Sequence, residues 1–188
     1  QEEKGAEYFR SQLKIARELN NRHEEATALN NLCTAMNTME NFEEAERLLH
    51  ECLVIRRELN DEAGISSSLI NLGVALFNQG RDAEVKQLLY EAIEISRRIN
   101  QPRNLAGALG NLGGIFKREG QYEEALKLFL QGLETHRNTG YPYGIAIALD
   151  NVGTAHYCLG NEREALYYLR QSIRQARAQY EEAVKRER

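Results

Sequence analysis

Four asparagines, Asn31, Asn71, Asn111 and Asn151, recur at a fixed interval of 40 residues, each set among apolar neighbours in TALNNLCTAM, SSLINLGVAL, GALGNLGGIF and IALDNVGTAH. A carboxamide offers two N–H donors and an acceptor oxygen. A row of four could therefore hold the N–H and C=O groups of an extended chain without reading its side chains. The same row could instead bond its own helix, or the adjacent one, and fix their stacking. Other chemistry is sparse. His23, His50, His136 and His156 form no H-E-x-x-H pair and have no cysteine or carboxylate neighbours at ligand spacing, so no metal site is expected. His156 shares a column with Met36, Leu76 and Phe116 and reads as a packed histidine. There is no G-x-S-x-G elbow and no phosphate-binding loop, because the glycines of GNLGG sit inside a helical pattern rather than after a strand. Cys33 and Cys52 fall in columns of small residues and read as buried spacers. The acidic pairs of FEEA and YEEA are first-turn acids on a solvated face. Neither catalysis nor a cofactor is expected.

The elements that position these residues follow from the bulk properties and the repeat. The chain has 188 residues, 42% hydrophobic and 28% charged, enough to bury a core as one domain or one array. A formal charge of −4, mixed in sign along the chain, argues against a general nucleic-acid binder. No apolar run approaches the roughly 18 residues of a membrane helix, and QEEKGAEYFR has no apolar leader core. Three cysteines without a C-x-x-C pair suggest a reducing compartment, with the cytoplasm as the expected location.

Aligned on the 40-residue step, the chain gives apolar columns (Leu29, Leu69, Leu109, Leu149; Leu32, Leu72, Leu112, Val152) and two small-residue columns (Cys33, Gly73, Gly113, Gly153; Cys52, Ala92, Gly132, Ser172). Small residues at fixed places let neighbouring helices approach closely. Leu29, Leu32, Cys33 and Met36 follow helical spacing, as do Ala45, Leu48, Leu49 and Cys52, so each unit reads as two helices. Gly80, Gly120 and Gly160 mark the turn between them, where a positive φ ends the first helix. Glu40 breaks that column, and Asn41 is expected to take the left-handed conformation in its place. Pro102 and Pro142 share the column that opens the next first helix. The array then comprises a half-unit over 3–20, full units over 22–60, 62–100, 102–140 and 142–180, and the end of a last capping helix over 181–188. The whole of 1–188 reads as a single array.

These residues resemble the tetratricopeptide repeat: Leu and Gly, a terminal Gly, then YEEAL and a small residue seven places after its Ala, as in NLGGIFKREGQYEEALKLFLQGL. The usual repeat has about 34 residues. The longer step resembles the variant of Pins-type adaptors, kinesin light chain and the sensor regions of bacterial regulators. The resemblance covers nearly the whole chain and implies an all-α fold, a right-handed superhelical α-solenoid of antiparallel helix pairs. Asp82 stands where Phe42 and Tyr122 stand in other copies, and Val85 replaces Ala, so the second full repeat is expected to pack less tightly.

By helical phase Asn31 points about 150° from the core stripe of its helix. The resemblance places that face on a concave groove and Asn31, Asn71, Asn111 and Asn151 in one ladder. Packed helices lie about 8 to 10 Å apart and an extended chain advances about 3.3 Å per residue, so one rung meets every third residue of a bound peptide. The rest of the expected peptide-binding set is Thr34, Phe77 and Asn78, then Lys117 and Arg118, then Asp150, Thr154 and Tyr157. Most of this face is small, leaving room for a ligand, while Phe77 and Tyr157 could wall it. Lys117 and Arg118 suit an acidic or C-terminal segment, although basic residues late in a helix also complement its dipole.

A second ladder, Arg17, Arg57, Arg97, Arg137 and Arg177, lies near the ends of the second helices and reads as structural. At the N-terminal side Leu13, Ile15 and Leu19 form an apolar stripe without a preceding helix, as expected for a piece cut from a longer array. At the other side the charged end of the last helix, with Tyr180, Ala183 and Val184, reads as a solvating cap. The expected function is a protein–protein interaction module that binds a peptide or protein segment, of acidic character, with no nucleic acid and no membrane as partner. The alternative is a ligand-sensing regulatory region of a larger signalling protein, of the bacterial NTPase or transcriptional-regulator type. A purely structural spacer or oligomerisation unit is the third class.

Overall fold

A computed structural model describes residues 2–186 of the chain, and among the described residues it has nine α-helices and no strand. They are α1 (Glu2–Glu18), α2 (Arg22–Thr38), α3 (Phe42–Glu58), α4 (Glu62–Asn78), α5 (Asp82–Arg98), α6 (Pro102–Arg118), α7 (Tyr122–Thr139), α8 (Pro142–Cys158) and α9 (Glu162–Arg186). This is the expected all-α set of helix pairs.

The helices are cut to one length by their connectors. Positive φ occurs at Asn20, Glu40, Asn60, Gly80, Asn100, Gly120, Gly140 and Gly160, one residue in every 20. Each such residue ends a helix in the left-handed region, and the residue after it stands at the start of the next. Asn21, Asn41 and Asp61 then cap α2, α3 and α4, each side-chain oxygen accepting from the backbone N–H three residues on. The expectation for Asn41 is therefore corrected. Glu40 itself is left-handed, at φ 58°, whereas Asn41 has φ −89° and accepts from the Glu44 N–H. Its oxygen serves better as a cap than its backbone would as a turn. Pro102 and Pro142 begin α6 and α8, where a missing N–H costs nothing.

The chain divides into two compact units, one up to Asn104 and one from Leu105. In the first unit consecutive helices pack on one another from α1 to α5, and α4 also reaches α2. The second unit contains most of α6 with α7, α8 and α9; α8 packs against both α7 and α9. Its core joins Ala125, Phe129 and Leu133 of α7 to Ala148, Leu149, Val152 and Ala155 of α8.

Both small-residue columns sit at close helix contacts. A Cβ on Gly113 would lie 2.6 Å from the Phe129 ring, and one on Gly153 would lie 2.7 Å from Leu169. On Gly73 it would rest 3.4 Å from Val85, an ordinary separation, and Val85 is buried. In the other column the Cys52 thiol donates to the Ala26 carbonyl at 3.2 Å and the Ser172 hydroxyl to the Ala146 carbonyl at 2.9 Å. At Gly132 a Cβ would approach the Ala106 carbonyl to 3.5 Å. Burial pushes the Cys33 thiol up to about 12 and raises that of Cys52, so both stay protonated and unreactive. Cys158 is exposed.

Candidate functional site

The asparagine column lies on the first helices α2, α4, α6 and α8, and all four residues are half-buried rather than exposed. Phase on a single helix leaves out the neighbouring first helix, whose side chains come alongside. In the first unit this contact is explicit. The Asn71 Nδ2 donates to Oδ1 of Asn30 on α2 at 3.1 Å, so one carboxamide of the ladder ties two repeats together. Asn31, Asn111 and Asn151 have no side-chain hydrogen-bond partner among the described residues. Asn71 thus takes the stacking role that the sequence allowed, while the other three carboxamides keep their bonding capacity. The doublet Asn30–Asn31 is the mark of this contact in the sequence.

The other candidates differ in how much of their bonding capacity remains. The Thr34 hydroxyl donates to the Asn30 carbonyl at 3.1 Å, Thr154 to the Asn151 carbonyl at 3.0 Å, and Asn78 Nδ2 to the Val74 carbonyl at 3.0 Å. Each gives one donor to its own helix, which leaves the side-chain oxygens as acceptors. Phe77 and Lys117 are half-buried, and Arg118, Asp150 and Tyr157 are exposed, Tyr157 to 71%. On α8, Tyr143, Ile147, Asp150, Thr154 and Tyr157 follow one another at i, i+4, i+7, i+11 and i+14 along one stripe.

Helix α6 has an unusual composition on this face. Gly107, Gly110 and Gly114 lie in its interior, and a Cβ added to any of them would meet nothing within 4 Å. A helical glycine costs about 0.5–1 kcal/mol relative to alanine, and packing does not require these three. Gly107 and Gly114 flank Asn111 by one turn on either side, leaving bare backbone beside an unbonded carboxamide.

Three of the five ladder arginines, Arg17, Arg57 and Arg177, form ion pairs within the protein. Arg17 Nε donates to Glu25 at 2.9 Å and the same guanidinium pairs with Glu51; Arg57 pairs with Glu91 at 3.4 Å. Burial of Glu25 pushes its carboxyl up, but hydrogen bonds from Arg17 and Arg22 outweigh this and hold it below the usual carboxylate range. Arg81 reaches back to Glu46 at 2.7 Å, and Arg98 to Glu62 at 2.8 Å. These pairs stitch adjacent helices. His156 is half-buried, stacked on Tyr168 with ring centroids 5.4 Å apart, so it packs rather than ligates. No cluster of three or more metal-binding side chains occurs among the described residues, and none of their helices is long and apolar enough to cross a membrane.

Comparison with known proteins agrees with this architecture. No curated protein matches the chain. Among solved structures it is similar to the nearly identical repeats of a putative kinesin light chain from Podosopora anserina, at 20% identity and TM-score 0.70, over 96% of this chain and 89% of that one. It is similar to a signal-transduction ATPase with a tetratricopeptide-repeat sensor from Pyrococcus horikoshii, at 21% identity and TM-score 0.72, over 87% of this chain and 25% of that one. Aspartyl phosphate phosphatase F from Bacillus subtilis is similar at 14% identity and TM-score 0.82, over 92% of this chain and 45% of that one. These likenesses concern the fold. The tetratricopeptide-repeat family model matches residues 24–98 and 104–178, most of the chain, and with helix pairs, small-residue contacts and left-handed connectors all in one register, the chain belongs to the tetratricopeptide-repeat family.

Proposed function

We propose that the chain is a protein–protein interaction module that holds an extended peptide or protein segment of acidic character against the faces of its first helices. The observation that carries this reading is the pairing of unbonded carboxamides with open backbone. Asn111 has no internal partner, and Gly107 and Gly114 beside it leave space that packing does not fill. An incoming backbone could approach closely there and exchange N–H and C=O bonds with the carboxamide. Lys117 and Arg118 in the last turn of α6 supply positive charge. In the first unit Asn31 plays the same part, while Asn71 spends its donor on Asn30.

A peptide selected from a random display library on the wild-type chain provides the probe. Asn111→Ala should weaken its binding by about 1–2 kcal/mol, the cost of losing a hydrogen bond and stranding its partner, with the melting midpoint nearly unmoved. Asn71→Ala should lower the midpoint instead. A lower midpoint for Asn111→Ala with affinity intact would show that Asn111 acts in stacking and would sink the proposal.

The second reading, a ligand-sensing region of a larger signalling protein, draws on the likeness to a repeat sensor of which this chain spans 25%. A nucleotide-binding or DNA-binding domain encoded in the same gene would favour it.

A further inference from the structure

Two hydrogen bonds in the first unit show how one first helix reaches the first helix before it. The Asn71 Nδ2 of α4 donates to Oδ1 of Asn30 on α2 at 3.1 Å, and the Asn104 Nδ2 of α6 donates to the Ala63 carbonyl of α4 at 3.2 Å. Each spans 41 residues. A ladder asparagine therefore meets the residue that stands just before the ladder position one repeat back. For Asn71 that residue is Asn30, which carries an acceptor oxygen; for Asn151 it is Gly110, which carries no side chain at all.

The second unit thus repeats the pair with one partner deleted. Asn151 on α8 holds the register of Asn71, and Gly110 on α6 holds that of Asn30, each 80 residues on. Asn151 is half-buried, and its carboxamide has no side-chain hydrogen-bond partner among the described residues. A Cβ added to Gly110 would meet nothing within 4 Å, so the room that Asn30 fills on α2 is open on α6. Helix propensity does not account for a glycine there, since alanine would be less costly. The place lies inside the array, on α6 with α7, α8 and α9 after it, and Asn151 stands in the register from which Asn71 turns back to the preceding first helix. A half-buried donor beside an open space is a bond that a ligand can complete.

We propose that the space at Gly110 receives a short acceptor side chain, aspartate or asparagine, from the segment held on the first helices, and that its oxygen accepts from the Asn151 Nδ2 as Asn30 accepts from Asn71. The inference rests on the peptide-binding reading and adds to it a side-chain preference, which backbone bonds to the ladder do not supply. Gly107, Gly110 and Gly114 follow one another at i, i+3 and i+7 along one stripe of α6, so a backbone lying on that stripe beside Asn111 carries a side chain over Gly110. Alanine at that place in the segment leaves the Asn151 donor unmet, and lysine sets donor against donor.

The test uses peptides selected from a random display library on the wild-type chain, with circular dichroism confirming that every variant is folded. The selected peptides should share an aspartate or asparagine at one position, and alanine in its place should weaken binding about tenfold. Against Asn151→Ala the same peptide change should cost nothing further, because the two groups act as a pair. Gly110→Asn supplies the acceptor from within the chain. It should weaken the peptide about tenfold and raise the melting midpoint by more than the same substitution does in an Asn151→Ala background, a comparison in which helix propensity cancels. Three results would each overturn the inference while the proposed function stands: peptides that depend on Asn111 but share no aspartate or asparagine, an alanine penalty that persists in Asn151→Ala, or a Gly110→Asn midpoint shift that is the same without Asn151. A library that yields no binder would overturn both.

Discussion

A single methyl group tests the tightest contacts. At Gly113 a Cβ falls 2.6 Å from the ring of Phe129, which is itself buried and cannot swing aside. Gly113→Leu should cost roughly 1–3 kcal/mol by overpacking; an unchanged denaturation midpoint would refute the packing assignment. Gly107→Ala and Gly114→Ala should behave oppositely. Nothing lies within 4 Å of either added Cβ, so each should stabilise by about 0.5–1 kcal/mol through better helix propensity. If the proposed peptide lies there, each should also weaken its binding, a stability–affinity opposition readable from paired melting and titration experiments. The sequence showed the small columns and the asparagine interval plainly. It did not separate Asn71 from Asn111, because the partner of Asn71 is Asn30, 41 residues away. Only the stacking of one repeat on the next brings them together. Nor did glycine identity distinguish Gly113, pressed on an aromatic ring, from Gly114 beside it, which faces open space.

At the scale of the helix, the ends carry the information. Helix positions were legible from apolar spacing, and the starts of α6 and α8 from Pro102 and Pro142. The connectors at Asn20, Asn60 and Asn100 were less legible, because asparagine also serves as an N-cap, as Asn21 and Asn41 do one residue after a left-handed position. Helix α7 begins without such help: Gln121 occupies its N-cap position and makes no capping bond. The longer side chain of glutamine does not fold back onto the first turn as asparagine or aspartate does. Gln121→Asp should supply the missing acceptor and complement the helix dipole, raising stability by about 0.5–2 kcal/mol. A thermal midpoint equal to or below the wild type would show that the end of α7 is already satisfied.

Over the whole molecule, the ion pairs that cross between helices set an acid limit. Glu25 and Glu46 are both pushed up by burial, yet hydrogen bonds, from Arg17 and Arg22 to the former and from Arg81 and Gln79 to the latter, leave them below the usual carboxylate range. A carboxyl depressed by folding contributes stability that is present above its unfolded value of about 4.3 and disappears as pH falls through the folded value. Both lie in the first unit. Hydrogen exchange followed by mass spectrometry from pH 5 downward should therefore show protection in α2 and α3 declining below about pH 4, and Glu25→Gln should show lower protection in α2 already at pH 5 and a shallower decline below it. Protection independent of pH across this window would deny the pairs a stabilising role. The even spacing of the left-handed connectors, one per 20 residues, also has a mechanical consequence. Pulled from its two ends, the chain would pay out its length in near-equal steps, each helix pair of 40 residues releasing roughly 130 Å of extended backbone, and so would lengthen under load as a graduated spring.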